Sequence, residues 1–339
     1  MMHEPVFPYG PVVASAVFKS RPGDFEVSEE LGFEPAGEGE HLFLLVEKSG
    51  LSTRELIDCI ARDYSLDPKL IGYSGLKDKH ALTRQWLSLH LPGKSPACGL
   101  IEGSGYQVLK QARHTRKLRP GSHSYNAFKV RLHDVVDFSE PAREQLDAIA
   151  GRGFANYFGT QRFGRRQDNV KLALNELPRR RLKRSRRSLL ISALRSYLFN
   201  RVLAQRIHLG HWDLPLNGDV FMLRGTHSIF TDTLDDTLFD RYRLLDIACT
   251  GSLYGTGQNL LSGEPRSIEA RVYAECEEIT SCLDQQGAKL QMRALRAVVD
   301  NFSYDYDAGN RSLLLQADLP SGCYMTTLLE HFIKARDVS

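Results

Sequence analysis

Long apolar stretches and targeting signals are missing from this sequence, and their absence narrows the kind of protein it encodes. No apolar run approaches the roughly 20 residues that a helix needs to cross a bilayer. Residues 1–10 also lack the basic start and the apolar core of a signal peptide. We therefore expect a protein that stays in the cytoplasm and has no membrane partner.

Cysteine is sparse, and its spacing excludes two classes of site. The six cysteines are spread along the chain, and no two form a Cys-x-x-Cys pair. Neither a zinc site nor a disulfide framework is therefore encoded locally. No cluster of metal ligands and no phosphate-binding glycine loop is present either. The sequence predicts reduced thiols and a protein without a metal or any other cofactor.

The overall composition is that of an ordinary globular protein. The chain has 339 residues, of which 42% are hydrophobic and 25% are charged, and its formal net charge is +3. These values indicate neither disorder nor a repeat array, and they name no function. A chain of this length can form two structural units, each with its own hydrophobic core.

The first half alternates apolar and polar residues in a way that predicts an α+β unit. Strands are expected near Phe25 and at residues 41–46, 70–73, 85–90 and 125–132. A helix should begin at Ser52 or Thr53, because a hydroxyl there can cap the first free amides of a helix. A second helix is expected at residues 141–149.

The residue composition changes at about Gly153, where a segment rich in glycine and aromatic residues precedes a charged stretch that is predicted to be mostly helical. A domain boundary is therefore expected there. Residues 188–207 repeat apolar side chains at helical spacing and predict a long helix. Residues 311–319 return to strand character and are followed by a final helix through Leu328, Leu329 and Phe332. The chain is thus expected to return to the first sheet.

Basic residues crowd two places. The first group comprises Lys110, Arg113, His114, Arg116, Lys117 and Arg119, and the second comprises Arg179, Arg180, Arg181, Lys183, Arg184, Arg186 and Arg187. Neutralising several phosphates releases counterions and gives strong, salt-sensitive binding to nucleic acid. We expect phosphate contacts from Arg113, Arg116, Lys117 and the whole second group. A solvated charged face or a flexible loop is the alternative for either run.

Four ionisable side chains follow one another in the turn Ser74-Gly-Leu-Lys-Asp-Lys-His80. The cations Lys77, Lys79 and His80 favour the ionised form of Asp78, because nearby positive charge stabilises a carboxylate. An ionised aspartate can act as a nucleophile or bind a metal, but no second carboxylate or paired histidine stands at ligand spacing beside it. In isolation, the turn is more typical of a surface loop whose aspartate caps the chain.

Several separated motifs together resemble the TruD-type pseudouridine synthases, which modify tRNA. The matching segments are Phe18-Lys-Ser-Arg-Pro-Gly-Asp-Phe-Glu-Val27, Ser74-Gly-Leu-Lys-Asp-Lys-His-Ala-Leu-Thr-Arg-Gln-Trp86, Ala112-Arg-His-Thr-Arg-Lys-Leu-Arg119, Asn126-Ala-Phe128, Asn156-Tyr-Phe-Gly-Thr-Gln-Arg-Phe-Gly164 and Leu319-Pro-Ser-Gly-Cys-Tyr324. They follow the family's order across nearly the whole chain. Any one of them is a weak motif, but coincidence of all six is very improbable.

The resemblance implies an α+β fold: a pseudouridine synthase-type catalytic domain with a mixed or antiparallel sheet, interrupted by a family-specific α+β insertion domain. The catalytic domain would comprise residues 1–152 and 299–339, and the insertion residues 153–298. Asp78 would be the nucleophile.

By the same resemblance, Phe25, Asn126 and Tyr324 would contact the target nucleotide, Phe128 would stack near its base, and Lys19 would lie close to the carboxylate. The family more often has phenylalanine where this chain has Tyr324, whose hydroxyl needs water or a partner. Lys77 and His80 would only tune Asp78.

The implied activity is isomerisation of a uridine in tRNA to pseudouridine, at uridine 13 of the D arm, by a monomer that needs no obligate protein partner. A tRNA-binding or folding protein without catalysis is the alternative reading. An RNA hydrolase is a third hypothesis, but the sequence lacks the clustered carboxylates or paired histidines that RNA cleavage requires. The charged turn favours the synthase, since a carboxylate among lysines weakens the local attraction for phosphate.

Overall fold

The computed structural model describes residues 5–93, 102–164, 166–179 and 181–339, and has an α+β fold. Its α-helices are α1 Thr53–Asp63, α2 Glu140–Arg152, α3 Asn169–Glu176, α4 Arg184–His208, α5 Asp236–Arg243, α6 Gly263–Ala274, α7 Glu277–Gln285 and α8 Met325–Leu329. Across the described residues, no helix is long and apolar enough to span a membrane.

Seventeen β-strands accompany the helices in the described part of the chain. In chain order they are β1 Ala14–Phe18, β2 Phe25–Glu30, β3 His41–Lys48, β4 Ile71–Tyr73, β5 Leu82–His90, β6 Glu102–Gly103, β7 Tyr106–His114, β8 Tyr125–Val136, β9 Phe154–Ala155, β10 Phe221–Leu223, β11 Ile229–Phe230, β12 Ile247–Leu253, β13 Gln291–Ala294, β14 Arg296–Ala297, β15 Asp300–Asp307, β16 Ser312–Pro320 and β17 Ile333–Asp337.

The chain divides into two compact units, and each is built from separate segments. One unit comprises residues 13–143, 299–322 and 333–339, and is called the sheet unit below. The other comprises residues 1–12, 144–298 and 323–332, and is called the helical unit. The assignment of residues 1–152 and 299–339 to a catalytic domain, and of residues 153–298 to an insertion, stays a prediction.

An eleven-stranded mixed sheet forms most of the sheet unit. Its main path runs β15-β16-β8-β2-β5-β3-β7-β6, and β1, β17 and β4 pair beside it. Most neighbours are antiparallel, but β2 lies parallel to β5 and β1 lies parallel to β17. The sheet therefore brings together strands from opposite ends of the sequence.

Helix α1 shows how the local sequence determines an element of the sheet unit. The Ser52 side chain accepts the Glu55 N–H at 3.2 Å, and the Glu55 carboxylate accepts the Ser52 N–H at 2.7 Å. This reciprocal pair satisfies two amides that a helix start leaves free. Leu56, Ile57 and Ile60 form the apolar face and pack in one buried cluster with side chains of β3 and β5. The predicted start of this helix is confirmed.

The helical unit is organised around α4. Leu190, Leu194 and Leu198 lie one turn apart and pack into a buried cluster with Ile279 and Leu283 of α7. Farther along the same helix, other side chains join a second cluster that contains residues of the four-stranded sheet β11-β10-β12-β13. The predicted helix at residues 188–207 is confirmed, and it begins earlier, at Arg184.

Two segments differ from the elements expected from the sequence. The final helix stops at Leu329, and Phe332 lies beyond it, just before strand β17. The basic segment that includes Lys110 and Arg113 lies largely on strand β7, which pairs with β3. The flexible-loop alternative is therefore wrong for the part of that segment that precedes residue 115.

Candidate active site

The charged turn of residues 74–80 connects β4 to β5, and buried side chains of the sheet unit hold its backbone. The hydroxyl of Thr53, at the start of α1, accepts the Lys77 N–H at 2.8 Å. The ammonium of Lys48, at the end of β3, donates to the Asp78 carbonyl at 2.6 Å. Burial lowers the pKa of Lys48 to about 8, although the charge of Asp78 opposes that shift. The turn is thus fixed on both sides of Asp78.

The Asp78 carboxylate is held in its ionised form. Lys19 donates to Oδ2, and the backbone N–H of His80 donates to Oδ1 at 3.0 Å. Burial alone would raise the pKa of this carboxyl, but the hydrogen bonds and the charge of Lys19 bring it below its ordinary value. The side chain is still 25% exposed. An ionised, reachable carboxylate can act as a nucleophile or as a proton acceptor.

Lys19 is the main electrostatic partner of Asp78, and the local backbone presents it in an unusual way. Its φ of 59° is in the left-handed region, which non-glycine residues seldom adopt. The side chain is only 2% exposed, and its ammonium also lies 3.3 Å from Asp337 of β17. It stands 5.1 Å and 5.0 Å from the ring centroids of Phe18 and Phe25. One buried cation therefore serves two carboxylates.

The Lys77 ammonium bonds residues other than Asp78, although it was expected to favour the ionised form of that carboxylate. Its ammonium donates to Glu29 at 2.6 Å and to the side-chain oxygen of Asn126 at 2.7 Å. Burial raises the pKa of the fully enclosed Glu29 carboxyl, and Lys77 opposes that shift. His80, in contrast, reaches Asp78 through its backbone N–H. Consecutive residues of the turn therefore belong to different networks.

Asn126 belongs to a buried polar group that sequence reasoning missed in part. Its side-chain nitrogen lies 3.1 Å from Nε2 of His123, and Nδ1 of His123 lies 2.9 Å from the Ser74 hydroxyl. Burial lowers the pKa of His123 to about 4. Glu29, His123 and Lys48 gave no signal of their own in the sequence. Glu29 bonds Lys77, Lys48 bonds Asp78 and His123 bonds Ser74, and these partners are 48, 30 and 49 residues away.

The aromatic candidates of the sheet unit stack on one another. The rings of Phe25 and Phe128 are 5.8 Å apart and inclined by 28°, and Phe18 meets Phe25 edge-on at 5.2 Å. Phe25 is buried, whereas Phe128 is half-buried. Phe128 therefore offers more open ring surface to a base than Phe25 does.

Tyr324 lies in the helical unit, at the start of α8. Its hydroxyl accepts a hydrogen bond from Arg162 at 2.9 Å, and the same guanidinium donates to Ser192 at 3.1 Å. Arg162 also stands 5.3 Å from the ring centroid of Phe158. The hydroxyl that distinguishes this tyrosine from phenylalanine thus has a fixed partner, supplied by the segment Asn156–Gly164.

In the first basic group, two of the three predicted phosphate-binding residues have partners in the protein. Arg113 is half-buried and donates to the Leu91 carbonyl at 3.0 Å. Lys117 donates to the Lys69 carbonyl at 2.6 Å. Arg116 is exposed. Phosphate binding by these residues stays a prediction.

The second basic group divides in a similar way. Arg186 bonds the Glu176 carboxylate at 3.1 Å and 3.2 Å, and Arg187 bonds the side chain and carbonyl of Gln286 at 3.0 Å. Arg187 is exposed, as are the other described members, which are Arg179, Arg181, Lys183 and Arg184. Arg180 lies outside the described residues. Arg179, Arg181, Lys183 and Arg184 are the better candidates for phosphate contacts, because Arg186 and Arg187 already bond Glu176 and Gln286.

The described residues contain no group of three or more His, Cys, Asp or Glu side chains that could hold a metal ion. Cys59, Cys249, Cys276, Cys282 and Cys323 are free thiols. Cys98 lies outside the described residues.

The fold was compared with those of solved structures. A Methanosarcina mazei structure assigned to tRNA pseudouridine synthase D (TruD) superposes with a TM-score of 0.73 at 20% identity, and covers 98% of this chain and 96% of its own. The fold is accordingly of the α+β pseudouridine synthase type.

The sequence comparisons then give the family. Residues 13–185 and 167–332 match the model of tRNA pseudouridine synthase D (TruD). The tRNA pseudouridine synthase D of Methylococcus capsulatus is 39% identical over 332 residues, with 96% of this chain and 93% of that protein covered. That of Stutzerimonas stutzeri is 40% identical over 328 residues, with 96% and 94% covered. The chain belongs to the tRNA pseudouridine synthase D (TruD) family, which confirms the resemblance found in the motifs.

Proposed function

We propose that this protein isomerises uridine 13 in the D arm of tRNA to pseudouridine, with Asp78 as the nucleophile. The observation that supports the assignment best is the state of the Asp78 carboxylate. It is partly exposed and ionised, and its turn is held by the buried side chains of Lys48 and Thr53. Such preorganisation aims a reactive group without a reorganisation cost during the reaction.

The reaction breaks the bond between ribose C1′ and uracil N1, turns the freed base, and joins C1′ to C5 of the same base. The C5 proton is released, a proton returns to N1, and nothing is oxidised or reduced. A carboxylate suits this task as a transient covalent partner that divides one difficult step into easier ones. Addition of Asp78 to the base, addition to the sugar, and prior removal of a ribose proton are the three alternatives for its first step.

The neighbouring residues have separate proposed roles. Lys19 keeps Asp78 ionised, and Asn126 bonds the target base. Extrusion of a base costs a few kcal/mol, which aromatic stacking worth about 1–3 kcal/mol per base can offset. Phe128, supported from behind by Phe25, is the platform we favour. Tyr324, whose hydroxyl is bonded to Arg162, is proposed to contact the same nucleotide.

Binding of tRNA is proposed to depend on the exposed members of the two basic groups, because phosphate contacts position a nucleic acid without reading its sequence. The protein is proposed to act in the cytoplasm as a monomer, without a cofactor. Residues 153–298 are proposed to form the insertion of the family.

The decisive experiment compares Asp78→Asn with the unchanged protein in release of tritium from tRNA labelled at uracil C5. We expect Asp78→Asn to fold, because Lys19 keeps Asp337 as a partner at 3.3 Å. Its tRNA affinity should be unchanged or slightly higher, since a negative charge is lost. Its rate should fall by many powers of ten, because an amide cannot form the covalent intermediate.

Asp58→Asn is the matched control, since Asp58 is exposed on α1 and the charge change is the same. This control should release tritium at the rate of the unchanged protein. Substantial release by folded Asp78→Asn, after deamidation has been ruled out, would refute the nucleophile. Tight tRNA binding without any release by the unchanged protein would favour the non-catalytic binding function.

A further inference from the structure

The side-chain amide of Asn126 has only one orientation that its surroundings allow. Lys77 Nζ lies 2.7 Å from one amide atom and 2.6 Å from Glu29, and His123 Nε2 lies 3.1 Å from the other amide atom. A lysine ammonium donates hydrogen bonds and cannot accept them. The amide atom that faces Lys77 must therefore be the oxygen, and the nitrogen must face His123.

The orientation of the Asn126 amide also determines which ring nitrogen of His123 carries the proton. Because the Asn126 nitrogen donates to Nε2, that ring atom has to accept, and the ring proton resides on Nδ1. Nδ1 lies 2.9 Å from the Ser74 hydroxyl, which also accepts the His123 backbone N–H at 2.7 Å. Burial lowers the pKa of His123 to about 4, so the ring is neutral near pH 7. The Ser74 hydroxyl thereby accepts the Nδ1 proton in the tautomer that leaves Nε2 free to accept from Asn126.

The other end of the network is anchored just as firmly. The second carboxylate oxygen of Glu29 accepts the backbone N–H of Trp86 at 3.2 Å. Glu29 is fully enclosed, and only 6% of the Lys77 side chain is exposed. A buried network in which each member is bonded resists rearrangement, since any flip leaves a buried donor or acceptor unpaired. Rotation of the Asn126 amide is therefore disfavoured.

The network leaves the amide of Asn126 one oxygen lone pair and one N–H for a ligand. The amide thus offers an acceptor and a donor side by side, in a fixed order. Uracil presents a carbonyl oxygen beside its N3–H, whereas cytosine presents an amino group beside an unprotonated N3, which is the reverse order. An asparagine that could flip would fit either base, but a locked one matches only one of them.

We infer that Lys77 and His123 are positioning residues that make the site select uracil over cytosine by locking the amide of Asn126. The inference rests on the proposed function, which places Asn126 against the target base. It assigns the selectivity to the hydrogen-bond partners of Asn126 as well as to Asn126 itself.

The test measures binding of two tRNA transcripts, with uridine or cytidine at position 13, to protein with the Asp78→Asn change, so that no conversion occurs. On this background, His123 is kept, changed to leucine, or changed to glutamine. Glutamine Oε1 can accept at the position of Nε2, whereas leucine cannot. Ser74→Ala is a milder variant, because it removes only the oxygen that accepts the Nδ1 proton of His123.

With His123 in place, we expect the uridine transcript to bind about tenfold more tightly or better, the discrimination typical of a matched base contact. His123→Leu should reduce that ratio to within about threefold of unity, and His123→Gln should restore most of it. Ser74→Ala should give an intermediate ratio. If His123 had only a structural role, its replacement would weaken the binding of both transcripts alike, and the ratio of the two affinities would not change.

Two outcomes would overturn the inference in distinguishable ways. If folded His123→Leu and Ser74→Ala both keep the full ratio, the network does not set selectivity, and the proposed function stands. If the protein with its native Asp78 releases no tritium from the uridine transcript, the proposed function fails, and the inference fails with it.

Discussion

Replacing Lys19 by methionine tests whether the buried ammonium keeps Asp78 ionised. Methionine is unbranched and can still pack against Phe18 and Phe25, but it cannot donate to a carboxylate. Burial of Asp78 would then be opposed mainly by His80, and the pKa of Asp78 should rise. The acid limb of kcat/KM should therefore move to higher pH, because more of the carboxyl is protonated at each pH.

The expected stability cost follows from the exposure of the carboxylates that lose their partner. Breaking a fully buried ion pair costs about 3–5 kcal/mol. Here Asp78 is 25% exposed and Asp337 is 47% exposed, so water replaces part of the lost interaction. We therefore expect the free energy of unfolding at pH 7 to fall by about 1–3 kcal/mol.

The pH dependence of this stability difference has a definite sign. The folded-state pKa of Asp78 lies below its unfolded value of about 3.9, so the Lys19 contact stabilises the protein above that pH. The contribution is lost as pH falls through the lowered folded-state pKa. The difference between the unchanged protein and Lys19→Met should therefore shrink in acid.

Urea unfolding at several pH values and tritium release from pH 4 to 8 measure both effects. Lys79→Ala is the matched control, since it also removes an ammonium from this turn. Lys79 pairs with Glu55, and the two side chains are 45% and 46% exposed. Such an exposed pair contributes little to the free energy of unfolding, because water and salt screen it. If Lys19→Met keeps the acid limb of the unchanged protein, Lys19 does not control the ionisation of Asp78.

Two further predictions concern metal ions and phosphate contacts. Treatment with EDTA should leave turnover intact when tRNA folding is controlled for, and loss of activity that one divalent ion specifically restores would contradict this. Changing Arg181 and Lys183 to glutamine should lower the salt slope of tRNA binding by roughly 0.7–0.9 units per lost phosphate contact. Changing Arg186 and Arg187, which already bond Glu176 and Gln286, should lower it less, and equal slopes for both double variants would refute the distinction.

Much of the fold could be predicted because its signals are local. Alternation of apolar residues located β3, β5, β8 and β16, and the hydroxyl of Ser52 located the start of α1. Strand β17 could not be predicted in the same way, since its short polar sequence becomes a strand by parallel pairing with β1, far away in the chain. Strand β7 was missed because its basic side chains obscured the alternation.

The candidate site was predictable only in its outline. The Asp78 turn is conspicuous because charges and glycine are concentrated there, and the family resemblance supplied Lys19 and Asn126 as neighbours. The partners of Lys77 could not be predicted, because Glu29 and Asn126 lie 48 and 49 residues away in sequence. The path of the backbone decides that Lys77 and Asp78, although adjacent, join different networks. The residue composition of the turn contains no information about that path.

The separation of Lys77 and Asp78 into different networks has a consequence for transplanting the site. A designer who grafts residues 74–80 onto another scaffold moves the reactive group but leaves behind Lys19 on β1's flank, Glu29 on β2 and Lys48 on β3. A grafted Asp78 would lose its counter-ion, and a grafted Lys77 would lose its carboxylate. The isolated motif is therefore not expected to keep its function in another scaffold. Searches that use the motif to recognise remote relatives become more selective when they also require Lys19, Glu29 and Lys48.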